Sequence, residues 1–194
     1  MSTYEVSKDN KLSPNNKLSI STMVVIGVMT AITCILAPLS IPIGPVPISL
    51  TNLVIYFTLY VLGMKKGTCS YCIYLLIGLI GVPVFSGFSS GPAKLFGPTG
   101  GYLIGFILMA LIAGIFIDRF IEKWYLCLVG MILGTVVCYV LGTLWLAYQM
   151  SLNMKAALWA GVIPFIPGDL IKMLLAMLIG PQIRKRLMKA GLSH

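Results

Sequence analysis

Acidic side chains are scarce: five Asp and Glu stand against fourteen Lys and Arg in 194 residues. Glu5, Asp9, Asp118 and Glu122 lie in the charged segments before and between the apolar stretches, which leaves Asp169 alone inside one. No pair of carboxylates is therefore set up for general acid–base work. The one histidine is His194, so imidazole is missing from any metal or triad arrangement. There is no G-x-x-x-x-G-K-[ST], no H-E-x-x-H and no nucleophile elbow, the motifs that cradle phosphate, bind zinc or expose a catalytic serine. The chain is read as not an enzyme, with no cofactor and no metal. Charge of either sign is short as well, at 10% of residues, where a soluble domain carries ~25%.

What remains is apolar. Hydrophobic residues make up 58% of the chain and the mean hydropathy is +0.97. The apolar stretches far exceed the ~10 residues of a barrel strand, so the expected fold is an all-α integral membrane protein in a lipid bilayer. Cys34, Cys69, Cys72, Cys127 and Cys138 all lie in or beside these stretches. Cys69-x-x-Cys72 has redox or metal spacing but no second pair, and buried cysteines more often behave as small apolar residues. The net charge of +9 invites a nucleic-acid reading, yet in membrane proteins basic residues mark cytoplasmic loops. No nucleic-acid partner is expected.

Charge spacing lays out the topology. No residue between Lys17 and Lys65 is charged, and four prolines (Pro38, Pro42, Pro45, Pro47) interrupt the middle of that stretch. Residues 66–118 repeat the pattern with Lys94 as the one internal charge, and residues 123–184 repeat it with Lys155, Asp169 and Lys172. Three helical hairpins follow, hence six transmembrane helices, near 20–37, 48–64, 68–85, 101–118, 124–148 and 159–184. One side collects Lys8, Lys11, Lys17, Lys65, Lys66, Arg119, Lys123, Arg184, Lys185, Arg186 and Lys189, and the other only Lys94 and Lys155. The positive-inside rule then puts both termini in the cytoplasm. The division is a cytoplasmic tail 1–19, a six-helix domain 20–186 and a second tail 187–194. A cleaved signal peptide is a rival reading of the N-terminus, weakened by the absence of a small-residue cleavage site after the apolar run.

Between the third and fourth helices runs Gly81–Phe106, GVPVFSGFSSGPAKLFGPTGGYLIGF. Its glycines and prolines forbid a continuous helix or strand. Its Phe and Tyr content sets it apart from disordered segments, which are polar. It is read as an ordered outer loop closing over a small molecule.

Asp169 and Lys172 are the sharpest pair. They follow Ile163-Pro164-Phe165-Ile166-Pro167-Gly168, a break expected to restart the helix near Asp169, and residues 169–184 make ~24 Å of helix at ~1.5 Å per residue. Against a hydrocarbon core of ~30 Å, that places both charges just below the outer surface. At i,i+3 they share a helix face, and charges at such depth point to function. The alternative is a mutually neutralising pair that pins the helix end. An acceptor beside a donor suits a cyclic urea, an amide or an amino acid.

Other features leave two readings open. Gly27-x-x-x-Ala31 and Thr30-x-x-x-Cys34 let helices approach closely, either within the fold or against a partner membrane protein. Asn52 is a ligand donor or a helix cap. Tyr139, Trp145, Tyr148 and Trp159 form an interfacial belt, from which one or two could reach a ligand.

Gly81-Val82-Pro83-Val84-Phe85-Ser86-Gly87-Phe88, Leu95-Phe96-Gly97-Pro98-Thr99-Gly100-Gly101-Tyr102, Phe165-Ile166-Pro167-Gly168-Asp169-Leu170-Ile171-Lys172 and the Gly44-Pro45-Val46-Pro47 turn together resemble the BioY family. These are the biotin-binding S components of energy-coupling factor (ECF) transporters, and the resemblance covers most of 20–185. It implies a six-helix S-component fold in a prokaryotic cell membrane, with biotin held near the outer face. It further implies a coupling transmembrane subunit and two cytoplasmic ATPase subunits as partners. By the same resemblance Asp169 and Lys172 address the biotin ring, and Ser89 matches a polar position near the ligand. Phe85, Gly87, Tyr102, Lys94, Asn52 and Tyr139 complete the expected ligand set, and Gly27, Ala31, Thr30 and Cys34 the docking set. Some relatives carry a basic residue after the Gly-Gly-Tyr, where Leu103 stands here. Lys94 or backbone N–H groups would then hold the carboxylate. An S component for another vitamin, or a stand-alone small-solute facilitator, are the alternatives.

Overall fold

The computed structural model of the chain describes residues 20–189, so the tail 1–19 and the end of the C-terminal tail lie outside the described residues. It is mostly helical. Helix α1 spans Ile20–Leu36, and the proline-rich break after it holds a short antiparallel ladder, β1 (Ser40–Ile41) against β2 (Ile48–Ser49). Then come α2 (Thr51–Leu79), a short α3 (Pro92–Leu95), α4 (Gly100–Arg119), α5 (Trp124–Gln149), α6 (Met154–Gly161) and α7 (Ile166–Lys189). Among the described residues α4, α5 and α7 are long and apolar enough to cross a membrane, and α1 is a shorter apolar helix.

Element α2 is not one rod. Gly63 sits at φ 74°, ψ 179°, a conformation that only glycine adopts without strain. A Cβ on Gly67 would lie 3.4 Å from the Leu59 Cα, whereas eight residues of straight helix separate two positions by ~12 Å. The chain therefore doubles back at Gly63, and α2 is a pair of adjacent arms, 51–62 and 64–79. The expected break near Lys65–Lys66 falls slightly earlier because glycine, not charge, makes the turn. The second arm stops at Leu79 rather than 85. Gly81 takes φ 110°, and the amides of Gly81 and Val82 return to the carbonyls of Gly78 and Ile77, the Schellman closure of a helix end.

The last expected helix, 159–184, is two elements. Asn153 caps α6, its side-chain oxygen accepting from the Ala156 N–H at 2.8 Å, so the expected outer connection 149–158 is largely helical. The break at 162–165 contains Pro164, and α7 restarts at Ile166 with Pro167 in its first turn, where the missing N–H costs no helix bond.

Aromatics and small residues fill the interior. Tyr56, Tyr60, Tyr71, Tyr74 and Phe85 are fully buried, and three of the tyrosines place their hydroxyls on Thr135, the Leu103 carbonyl and the Val84 carbonyl. α4 and α5 approach closely: a Cβ on Gly105 would sit 3.0 Å from Cys138 Sγ, and one on Gly134 2.9 Å from the Met109 carbonyl. Outside, Val24, Val28, Leu133, Val136, Leu174 and Leu178 are exposed, the inverse of a soluble surface. At one end Asp118 joins three elements, accepting from the Met64 amide at 2.7 Å and from Arg184 Nη1 at 3.3 Å. The residues discussed next lie at the other end.

Candidate binding site

Asp169 and Lys172 occupy the first two turns of α7 and face inward, 7% and 8% exposed. Lys172 Nζ donates to Asp169 Oδ1 at 3.0 Å, to Asn52 Oδ1 at 3.0 Å and to the Ser49 carbonyl at 2.7 Å. An ammonium has three hydrogens, so all three are held. The second oxygen of Asp169 accepts from the Tyr139 hydroxyl at 2.6 Å. The pair thus links α7 to the β2–α2 junction on one side and to α5 on the other. Asn52, read as either ligand donor or cap, accepts from Lys172. With its amide oxygen engaged, its NH2 is the group left to donate.

A cavity of about 60 Å³ opens beside this cluster. Its lining brings Asn52, Asp169, Lys172, Tyr139, Thr135 and Cys138 together with Val46, Pro47, Ser86, Thr99, Tyr102, Leu103 and Phe106. Apolar walls with a few convergent polar groups are the usual make-up of a small-molecule site. Tyr139 and Asp169 also border a larger apolar groove of about 510 Å³ between α5, α6 and α7, so their mutual hydrogen bond forms part of the wall between the two spaces.

The glycine-rich segment meets the cavity through Ser86, Thr99, Leu103 and Phe106 and, of its expected ligand residues, through Tyr102 alone. Phe85 is fully buried and does not line it: its ring packs edge-on against Tyr74 at 5.6 Å and fills the space where a Gly78 side chain would stand. Ser89 donates to the Ser86 carbonyl at 2.8 Å, and Phe85 and Ser89 bridge to make a tight bend that presents Ser86 instead. Gly87, at φ 71°, donates to the Pro38 carbonyl at 3.0 Å and so fastens this loop to the 38–50 segment. Lys94 lies on α3 away from the cavity lining, and partial burial holds its ammonium below the usual lysine range. Tyr102 does line the cavity, with its hydroxyl bound to Thr143 and the Gly161 carbonyl. Trp145 donates to the Gly97 carbonyl at 2.9 Å and braces the loop from outside; Trp159 and Tyr148 are exposed, as belt residues are.

Sequence reasoning missed the Ser49 carbonyl, Ser86, Thr99, Thr135 and Phe165. A backbone acceptor has no residue letter to betray it. Ser86, Thr99 and Phe165 sat inside quoted motifs, so a signal was present for them.

The two small-residue ridges of α1 face different ways. Gly27 and Ala31 are exposed, with no atom of the described residues within 4 Å of a Cβ built on Gly27. Thr30 is buried and shares a 2.9 Å hydrogen bond with Ser70, and Cys34 is half-buried against the core.

Comparison with known proteins bears on the family and the fold. The model of the BioY family matches residues 9–189. The biotin transporter BioY of Thermotoga maritima is 39% identical over 160 residues, 82% of this chain and 93% of that one. Biotin transporter BioY2 of Lactococcus lactis subsp. cremoris is 37% identical over 166 residues, 86% of this chain and 90% of its own length. Among solved structures, the S-component for biotin from an ECF-type ABC transporter superposes with TM-score 0.79 and 35% identity, covering 86% of this chain and 92% of that one. The chain belongs to the BioY family.

Proposed function

We propose that this chain is the biotin-binding S component of an ECF-type vitamin transporter. It captures biotin at the outer face for import driven by partner subunits. The carrying observation is the buried Asp169–Lys172–Asn52 cluster beside the cavity. A cyclic urea offers N–H donors next to a carbonyl oxygen. Asp169 retains lone pairs to accept from the N–H groups, and the Asn52 NH2 can donate to the carbonyl. Lys172 then acts mainly by holding Asp169 and Asn52 in register, since its own hydrogens are engaged. The cavity of about 60 Å³ is small beside ligand clefts of ~300–1,000 Å³. Entry of a bicyclic ring therefore requires the 38–50 and 81–99 loops, joined through Gly87, to part and reclose. Closure excludes water, which strengthens the hydrogen bonds beneath.

The proposal includes six membrane spans, counting the two arms of α2 separately, with both termini cytoplasmic. The Asp118–Arg184 end then faces the cytoplasm and the cavity faces outward. It also includes a coupling membrane subunit and two ATPases, because the chain has no phosphate-binding loop of its own. Gly27 and Ala31 form the docking ridge on α1, while Thr30 and Cys34, turned inward, serve packing. The test is a thermal-shift and titration screen of purified protein against biotin and other small vitamins. Biotin alone should raise the melting temperature; a shift by a different vitamin and none by biotin would refute the reading.

A further inference from the structure

Lys172 has no hydrogen left to give, and Asp169 offsets its charge. No other Lys or Arg among the described residues lines the cavity. A carboxylate-bearing ligand must still place that group, and Asp169 repels it from the α7 wall. Elsewhere the cavity is walled by the start of α4, where Thr99 is 6% exposed and its buried Oγ1 has no hydrogen-bond partner among the described residues. Thr99 is the N-cap of a 20-residue helix. Such a hydroxyl ordinarily accepts from the N–H groups of the first turn, yet this one makes no capping bond. Among the described residues the amides of Thr99 and Gly101 likewise donate to no backbone carbonyl. A buried rotatable O–H at the positive end of a long helix is a donor suited to an anion.

We propose that Thr99, with the N-terminal end of α4, receives the carboxylate of the bound ligand, so that a neutral hydroxyl and a helix end take the place of a cation. The inference rests on the biotin reading and assigns the tail end of that same site.

The experiment titrates purified wild type, Thr99→Val and Thr99→Ser with biotin and with biotinamide, whose tail has the same shape and no charge. Thr99→Val should weaken biotin about tenfold or more, the worth of a hydrogen bond to a charged group. It should change biotinamide by less than roughly threefold, and Thr99→Ser should keep biotin binding within the same margin. Without ligand, Thr99→Val should melt at or above the wild-type temperature, because a methyl group replaces an unbonded buried hydroxyl. Should the β-branched variant fail to fold, Thr99→Ala carries the same expectation for the two ligands. Wild-type-like biotin affinity in Thr99→Val, or equal losses for both ligands, overturns the assignment while leaving the biotin reading intact. A wild type that binds neither compound overturns both.

Discussion

A buried ammonium with its three hydrogens engaged, beside a carboxylate with both oxygens engaged, is organised before any ligand arrives. Removing one partner leaves a buried charge alone, which costs ~3–5 kcal/mol by the precedent of buried pairs. Lys172→Met should therefore lower stability by that order, and Asp169→Asn combined with Lys172→Met should recover part of it; thermal unfolding in detergent measures both. Tyr139→Phe removes the hydroxyl from Asp169 Oδ2 and should weaken biotin by about tenfold or more, the equivalent of ~1.5–3 kcal/mol for a hydrogen bond to a charge. An unchanged isotherm would show that the Tyr139 contact does not matter to binding. At this scale the sequence was readable where chemistry sits in side chains: two opposite charges three residues apart in an apolar run stand out. It was unreadable where a partner is backbone, as with the Ser49 carbonyl. It also misled where an aromatic could serve core or ligand equally. Phe85 belongs to the core because the glycine opposite it, Gly78, leaves a ring-sized space.

Helices come next in scale, and their ends are set by backbone geometry more than by hydropathy. Gly63 turns α2 back on itself with φ 74°, and a Cβ there would lie 3.0 Å from the Asp118 carboxylate. Gly63→Ala combines a left-handed backbone with that crowding and should cost ~1–3 kcal/mol. The loss should appear as a lowered melting temperature with biotin affinity little changed, since the turn is at the far end from the cavity. A full loss of binding at unchanged stability would contradict this view of the turn. Uncharged stretches located most of the helical segments, because lipid leaves few other ways to arrange such residues. The short α6 escaped notice, since the cap at Asn153 decides it locally, whereas Pro164 and Pro167 made the restart of the last helix legible to within three residues, at Ile166 rather than Asp169.

For the whole molecule, the apolar exterior and the polar cluster at one end are the two halves of one design. The surface meets lipid and, in the proposed function, the cluster meets solute. The exposed Gly27–Ala31 ridge is part of that apolar exterior, beside Val24 and Val28 on α1. If it is the docking face, Gly27→Leu should reduce co-purification of the coupling subunit while biotin affinity stays within roughly threefold of wild type. Undiminished co-purification would remove α1 from the docking role. The class and family were legible from composition and four short motifs. The inward turn of Thr30 was not, because two adjacent small-residue ridges look alike until the helix is rotated into its fold.

The central claim is that Asp169 recognises biotin in the cavity beneath the glycine-rich loop. Isothermal titration of biotin into purified wild type and Asp169→Asn addresses it directly. The account predicts binding by wild type and a loss of roughly 100-fold or more in the variant, the equivalent of ~3 kcal/mol. Equal affinity in the two proteins would contradict it.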